Sequence, residues 1–391
     1  MPASPSIEGG VGVGPPIMKF SFLTSELKAA MAVVCKAVSP KNALPILSTV
    51  MLTQNDEGEL VITGASQENR LSVTCPIADV EDFAPVCIDA ALLNNAISNL
   101  GAQAVTLEVN GIAATLTYDK GHFSFAVEST ADYPTPLVLA KDAQVLTIPA
   151  NTLLHLVKVC KPFTANDELR PIMNGICVDL TGDYLVAAAS DGHKLIRHRY
   201  PEVKAGMGQM VIVSQPTAAL LALLPKDSEV AVTITGNQAI FDANGFRLMA
   251  TLIEGRFPNY NSVIPTNQPY KIEVNRADLM AAIRRVSVMA NQGSGLLRIA
   301  TKRDLMGSVL TISAENADYA TSGYEQIPYE GTLPDTFMIG FKGAFLLALL
   351  ATYVGDRIQI ALADQSRPGV FTDIDGDDRL LTLLMPMMLN D

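Results

Sequence analysis

Three stretches, MKFSFLTSELKAAMAVV (18–34), QVLTIPANTLLHLVKVC (144–160) and YKIEVNRADLMAAIRRV (270–286), align without a gap at a spacing of 126 residues. Each opens on alternating apolar residues: Phe20 and Phe22, Leu146 and Ile148, Ile272 and Val274. That alternation is the pattern of a half-buried strand. Each stretch then changes to apolar residues at i, i+4 and i+7, the stripe of an amphipathic helix. The stripes are Leu27, Met31 and Val34; Leu153, Val157 and Cys160; and Leu279, Ile283 and Val286. Ser25 and Asn151 stand where N-caps are expected. A period this long exceeds a solenoid repeat and suits a whole domain.

Further along each copy a second strand runs into a second helix. These are Val86–Ile88 into Ala90–Leu100, Val211–Val213 into Pro216–Leu224, and Phe337–Ile339 into Phe345–Leu350. Another echo sets Asp132-Tyr133-Pro134 against Arg256-Phe257-Pro258. Short alternating runs such as Glu59–Ile62, Ala104–Val109, Glu229–Ile234 and Arg357–Ala361 read as further strands. The expected fold class is α+β: three copies of one domain with two helices and about eight strands each, over 18–142, 143–267 and 268–391. Met1–Ile17 is rich in Gly, Pro and Ser and reads as a tag or disordered linker. Its Gly10, Gly12 and Gly14 lack the flanking strand and helix of a nucleotide loop.

Apolar residues make up 49% of the 391, enough for sizeable cores, which excludes a disordered or fibrous chain. The net charge of −12, taken alone, argues against a polyanion partner. Its distribution reverses that impression. The six helical segments together carry +6, which leaves −18 on everything else. The plain reading is that helices tolerate Lys and Arg well. The sharper reading is that the helices share a face that meets a polyanion, while the acidic remainder repels it.

Five cysteines (Cys35, Cys75, Cys87, Cys160, Cys177) without metal spacing read as reduced thiols of a cytoplasmic protein. The longest apolar runs, Phe345–Leu350 and Ala218–Leu224, fall far short of the ~18 residues a membrane span needs. No phosphate loop, nucleophile elbow or zincin motif occurs, and the four histidines show no ligand spacing, so neither enzyme chemistry, cofactor nor metal is expected. Leu185–Tyr200 reads as a hairpin turning at Asp191-Gly192. A hydrolase built on Asp191 and His193 would need a second cluster that the sequence lacks. Leu381–Met387 reads as the last strand, apolar on both faces, and its methionines suit a surface that accepts several partners.

The triplication, with SDGHKL at 190–195, EGRFPNY at 254–260 and LLMPM at 383–387, resembles the bacterial β sliding clamp family, the processivity subunits of replicative DNA polymerases. The resemblance spans Met18 to the C-terminus. It implies DNA-clamp (processivity-fold) domains and a head-to-tail homodimer that closes a ring around duplex DNA without reading its sequence. It also implies no catalysis, no cofactor and no membrane. Replicative polymerase, clamp loader and repair proteins would dock through short linear motifs in a pocket between the second and third domains. The matching pocket positions are Met173, Ser190, Gly192, His193, Lys194, Leu195, Pro258, Val263, Tyr329, Leu383, Leu384, Met385, Pro386 and Met387. Lys194 and Ser262 stand where the family often has Arg. The DNA-facing cations would be Lys28, Lys36, Lys41, Lys158, Lys161, Arg276, Arg284, Arg285 and Lys342. Phe123, Val288 and Met289 match ring-closure positions. A competing reading is an adaptor that uses the groove to gather peptides without DNA.

Overall fold

The computed structural model describes residues 18–38, 44–75, 79–80, 84–135, 143–304, 307–374 and 379–389. Residues 1–17 and Lys41 lie outside them. The described residues contain six α-helices, two per repeat. They are α1 (Thr24–Val34), α2 (Ala90–Ser98), α3 (Ala150–Cys160), α4 (Gln215–Leu221), α5 (Arg276–Val286) and α6 (Gly343–Leu350).

The two expected caps are each corrected by two residues. The strand Met18–Leu23 runs straight into α1, so Leu23 holds the cap position and Ser25 lies within the first turn. Thr24 ties this junction down: its hydroxyl donates to the Gly101 carbonyl at 2.8 Å and accepts from the Gln103 N–H at 3.1 Å. Pro149 likewise precedes α3, which places Asn151 inside the helix. Asn275 does cap α5, accepting from the Asp278 N–H at 2.9 Å. Asp89 and Ser214 cap α2 and α4 in the same manner.

By their contacts the described residues fall into two compact units, each of which joins parts of more than one repeat. One unit holds the chain up to Val145 together with Leu223–Thr251, and the other Leu146–Ala222 with Leu252–Asp391. The physical reason is strand pairing across repeats. In the first unit, Phe246–Thr251 pairs antiparallel with Asn69–Cys75, Ala250 opposite Asn69. Within this unit the strands from Glu229–Thr235 through that pairing to Val86–Asp89 therefore belong to one continuous sheet. A five-stranded sheet completes the unit and ends on Gly121–Ala126. Helix α1 lays Leu27, Met31 and Val34, each at most 2% exposed, against Phe20, Ile62 and Leu107. Burying each such side chain is worth roughly 1.5–3 kcal/mol.

In the second unit a nine-stranded sheet runs from Met210–Ser214 to Glu330–Gly331. At its centre Lys194–Lys204 pairs antiparallel with Leu380–Leu384, Leu195 opposite Leu383. A four-stranded sheet ends on Thr321–Pro328. The last long strand thus closes a sheet whose other half is formed by the middle repeat.

Candidate functional site

The hairpin of Tyr184–Ser190 and Lys194–Lys204 turns at Asp191, Gly192 and His193. Gly192 has φ +90°, a conformation that side chains resist, so glycine is needed there. One carboxylate oxygen of Asp191 accepts from the N–H groups of His193 and Lys194, both at 2.8 Å. Its other oxygen pairs with the Lys194 ammonium. The Ser190 hydroxyl donates to the Lys194 carbonyl at 3.0 Å and accepts from the Gly192 N–H at 3.1 Å. The chain leaving Leu380–Leu384 is held to this turn by the Met385 N–H, which donates to the His193 carbonyl at 2.7 Å.

A cavity of about 210 Å³ opens beside the turn. Met173, Leu195 and Leu383 form its buried base, and Val263 and Met385, 54% and 38% exposed, form its lips. Ser190, Gly192, His193, Lys194 and Pro258 complete the set of expected residues brought together there. Tyr329, Leu384, Pro386 and Met387 do not line it. Leu384 is fully buried, because both faces of its strand are covered. Met387 instead bridges to Gly340, its N–H donating at 2.8 Å.

The structure adds Phe257, Asn259 and Tyr260 to the lining. Their signal lies in the EGRFPNY stretch, whose Pro258 alone belongs to the expected pocket set. The Tyr260 hydroxyl donates to Asp179 at 2.6 Å, and burial together with that carboxylate pushes its pKa up. The hydrogen bond to Asp179 holds the ring in place in the lining. The ring of His193 stacks on Phe345 at 6.2 Å. Lys194 is only 6% exposed, so it sits beneath the site rather than on a polar rim. The Ser262 hydroxyl turns back to the Asn259 carbonyl at 2.7 Å. Among the described residues, no group of three His, Cys, Asp or Glu side chains is placed to hold a metal. No helix there is long and apolar enough to cross a membrane.

The helix cations fall into two groups. Lys28 donates to the carbonyls of Ser98 and Leu100, closing the end of α2. Arg276 donates to the Gly355 carbonyl at 2.7 Å, Arg285 forms a two-pronged pair with Glu325, and Lys342 lies 4.9 Å over the Phe345 ring. Lys36, Lys158, Lys161 and Arg284 are exposed. Lys158 and Arg284 are 126 residues apart, at equivalent positions of α3 and α5, where α1 carries the exposed Ala32. Of the expected closure residues, Val288 is 76% exposed, Met289 packs over Gly323, and Phe123 is half-buried against Tyr118.

Three family models match the chain in succession. They are the N-terminal domain of the DNA polymerase III beta subunit over residues 18–137, its central domain over 147–259 and its C-terminal domain over 261–388. A beta sliding clamp of Synechococcus elongatus is 28% identical over 381 residues, covering 95% of this chain and 100% of that one. One of Synechocystis is 26% identical at the same coverage. Among solved structures, a sliding clamp of Pseudomonas aeruginosa superposes with a TM-score of 0.88 at 22% identity, covering 95% of this chain and all of that one. The sliding clamp of Bacillus subtilis gives 0.87 at 21% identity, covering 96% and 100%. These structures share the fold of three clamp domains.

Proposed function

The chain belongs to the DNA polymerase III beta subunit family and works as a sliding clamp in DNA replication; we propose that two copies close head to tail into a ring around duplex DNA. The observation that carries this reading is the exposed pair Lys158 and Arg284, repeated at one helix position of two repeats. Six helices per chain give twelve per ring. At ~8–10 Å between neighbours their axes would lie on a circle ~31–38 Å across. Subtracting a helix diameter of ~10 Å leaves a lumen of ~21–28 Å, enough for a duplex with little direct contact. A few mobile cations attract phosphate without fixing register, which is what sliding requires.

The cavity beside Gly192 would take short apolar motifs of the polymerase, the clamp loader and repair proteins. Its base of Met173, Leu195 and Leu383 is buried and apolar, while Met385 supplies an adaptable lip. The protein itself would make or break no covalent bond, and its setting would be the cytoplasm.

The test is retention on DNA. Clamp loaded on a nicked circle should survive a wash at high salt and should be lost once the circle is cut. Equal retention on circular and linear DNA would sink the ring. Changing Lys158, Lys161 and Arg284 together to Glu should weaken attraction to a short linear duplex and flatten its salt dependence. Each lost phosphate contact should remove about 0.9 from the log–log slope.

A further inference from the structure

The seam in the first unit repeats the seam that carries the cavity beside Gly192. There the Met385 N–H donates to the His193 carbonyl at 2.7 Å; here the Thr251 N–H donates to the Glu68 carbonyl at 2.8 Å. There the Lys194 N–H is held by the Asp191 side chain at 2.8 Å; here the Asn69 N–H is held by the Ser66 hydroxyl at 3.2 Å. Leu195 opposite Leu383 corresponds to Arg70 opposite Met249. Phe257-Pro258 corresponds to Tyr133-Pro134. A cavity of about 410 Å³ lies in this frame as well.

The lining has changed in kind. Where the other cavity has Leu195 and Met385, this one has Arg70 and Thr251, with Ser66, Thr135 and Gln238 around them. The Arg70 guanidinium lies 5.4 Å over the Tyr133 ring and donates to the Pro134 carbonyl. It forms no ion pair among the described residues. Burial lowers its pKa, offset only in part by Tyr133 and Cys87. Glu68, the one carboxylate of the lining, is exposed on the turn. A half-buried guanidinium without an acidic partner loses hydration that a bound carboxylate would restore through a charge-assisted, forked contact.

We propose that this second cavity is a docking site for a short acidic peptide segment of a partner protein, whose carboxylate pairs with Arg70 while Ser66, Gln238 and Thr251 meet its polar groups. The peptide class rests on the apolar cavity being a peptide groove, since the same backbone frame recurs. The site would let one clamp hold an apolar and an acidic segment at once.

The test is fluorescence anisotropy of the full chain with a labelled Ser-Glu-Thr-Glu-Ser peptide. Saturable binding is expected. Both Arg70→Leu and exchange of the peptide's glutamates for glutamine should weaken it roughly tenfold. Arg70→Lys should have a smaller effect. Met385→Ala should leave it unchanged while weakening a leucine-rich probe peptide. If only the leucine-rich probe fails to bind, the groove reading falls. If the acidic and glutamine peptides bind the wild type alike, the present one falls, whether or not Arg70→Leu folds. Displacement of the peptide by millimolar inorganic phosphate, or by a short duplex whose own binding needs Arg70, would assign the site to phosphate and overturn the proposal.

Discussion

Lys194 shows how far a residue's role depends on its surroundings. In the sequence it is one lysine in SDGHKL, and a charge on a rim is the natural expectation. In the fold its side chain is 7% exposed, paired with Asp191 and 4.5 Å from the centroid of Phe345. The rings of Phe163 and Phe345, both distant along the chain, lie against its ammonium, so no local pattern announces the burial. A buried pair is held together less by its own attraction than by the cost of leaving either charge alone. Asp191→Asn keeps the oxygen that accepts from the His193 and Lys194 N–H groups but strands the ammonium. It should cost about 3 kcal/mol or more. Lys194→Met removes the charge and refills the space between the aromatic rings, and Asp191 can reach solvent at the turn, so its cost should be smaller. Thermal unfolding followed by circular dichroism checks the order. A larger drop for Lys194→Met than for Asp191→Asn would contradict it.

Elements were legible where their signals are local. The period-two runs and the i, i+4, i+7 stripes located all six helices to within a few residues, because burial of one helix face is written in consecutive turns. The pairing of Lys194–Lys204 with Leu380–Leu384 was not legible, since nothing in either strand names its distant partner. The same holds for Asn69–Cys75 with Phe246–Thr251, and so the threefold repeat did not reveal how contacts divide the chain. The pocket was half legible: its turn and lip residues stood in recognisable motifs, whereas Leu384, Pro386 and Met387, carried over with Met385 from the family resemblance, lie outside the cavity lining. This bears on truncation. Removing residues 383–391 would strip Leu383 and Leu384, 4% and 0% exposed, from the middle of a sheet, and any loss of peptide binding would then merely report damage. Ending the chain at Leu384 keeps the strand and deletes the Met385 lip and the bridge from Met387 to Gly340. Peptide affinity should fall roughly tenfold, by the loss of one buried side-chain contact and one anchored turn, while the helical signal stays intact. Unchanged affinity in a peptide titration would remove Met385 from the groove.

At the scale of the whole molecule, charge sets two opposed expectations. Each chain carries −12, so the two copies of the proposed ring would repel at long range and would have to be joined by something other than their net fields. Among the described residues the strands Gly121–Ala126 and Thr321–Pro328 end their sheets, each with one paired edge, and Val288 and Tyr324 beside the latter are 76% and 72% exposed. Exposed strand edges with apolar neighbours invite pairing, and two different surfaces meeting head to tail must close on themselves or grow into filaments. A contact of backbone hydrogen bonds and apolar side chains between like-charged bodies should hold or tighten as salt screens the repulsion. Attraction of duplex DNA to Lys158, Lys161 and Arg284 should weaken over the same range as counterion release loses its drive. Light scattering across a salt series should therefore keep a mass twice 41.7 kDa, while affinity for a linear duplex falls. Val288→Asp with Tyr324→Asp should yield the single-chain mass at concentrations where the unaltered protein stays paired. Dissociation of the unaltered pair by salt would mean that ion pairs hold it, and the edge-strand account of closure would have to be abandoned.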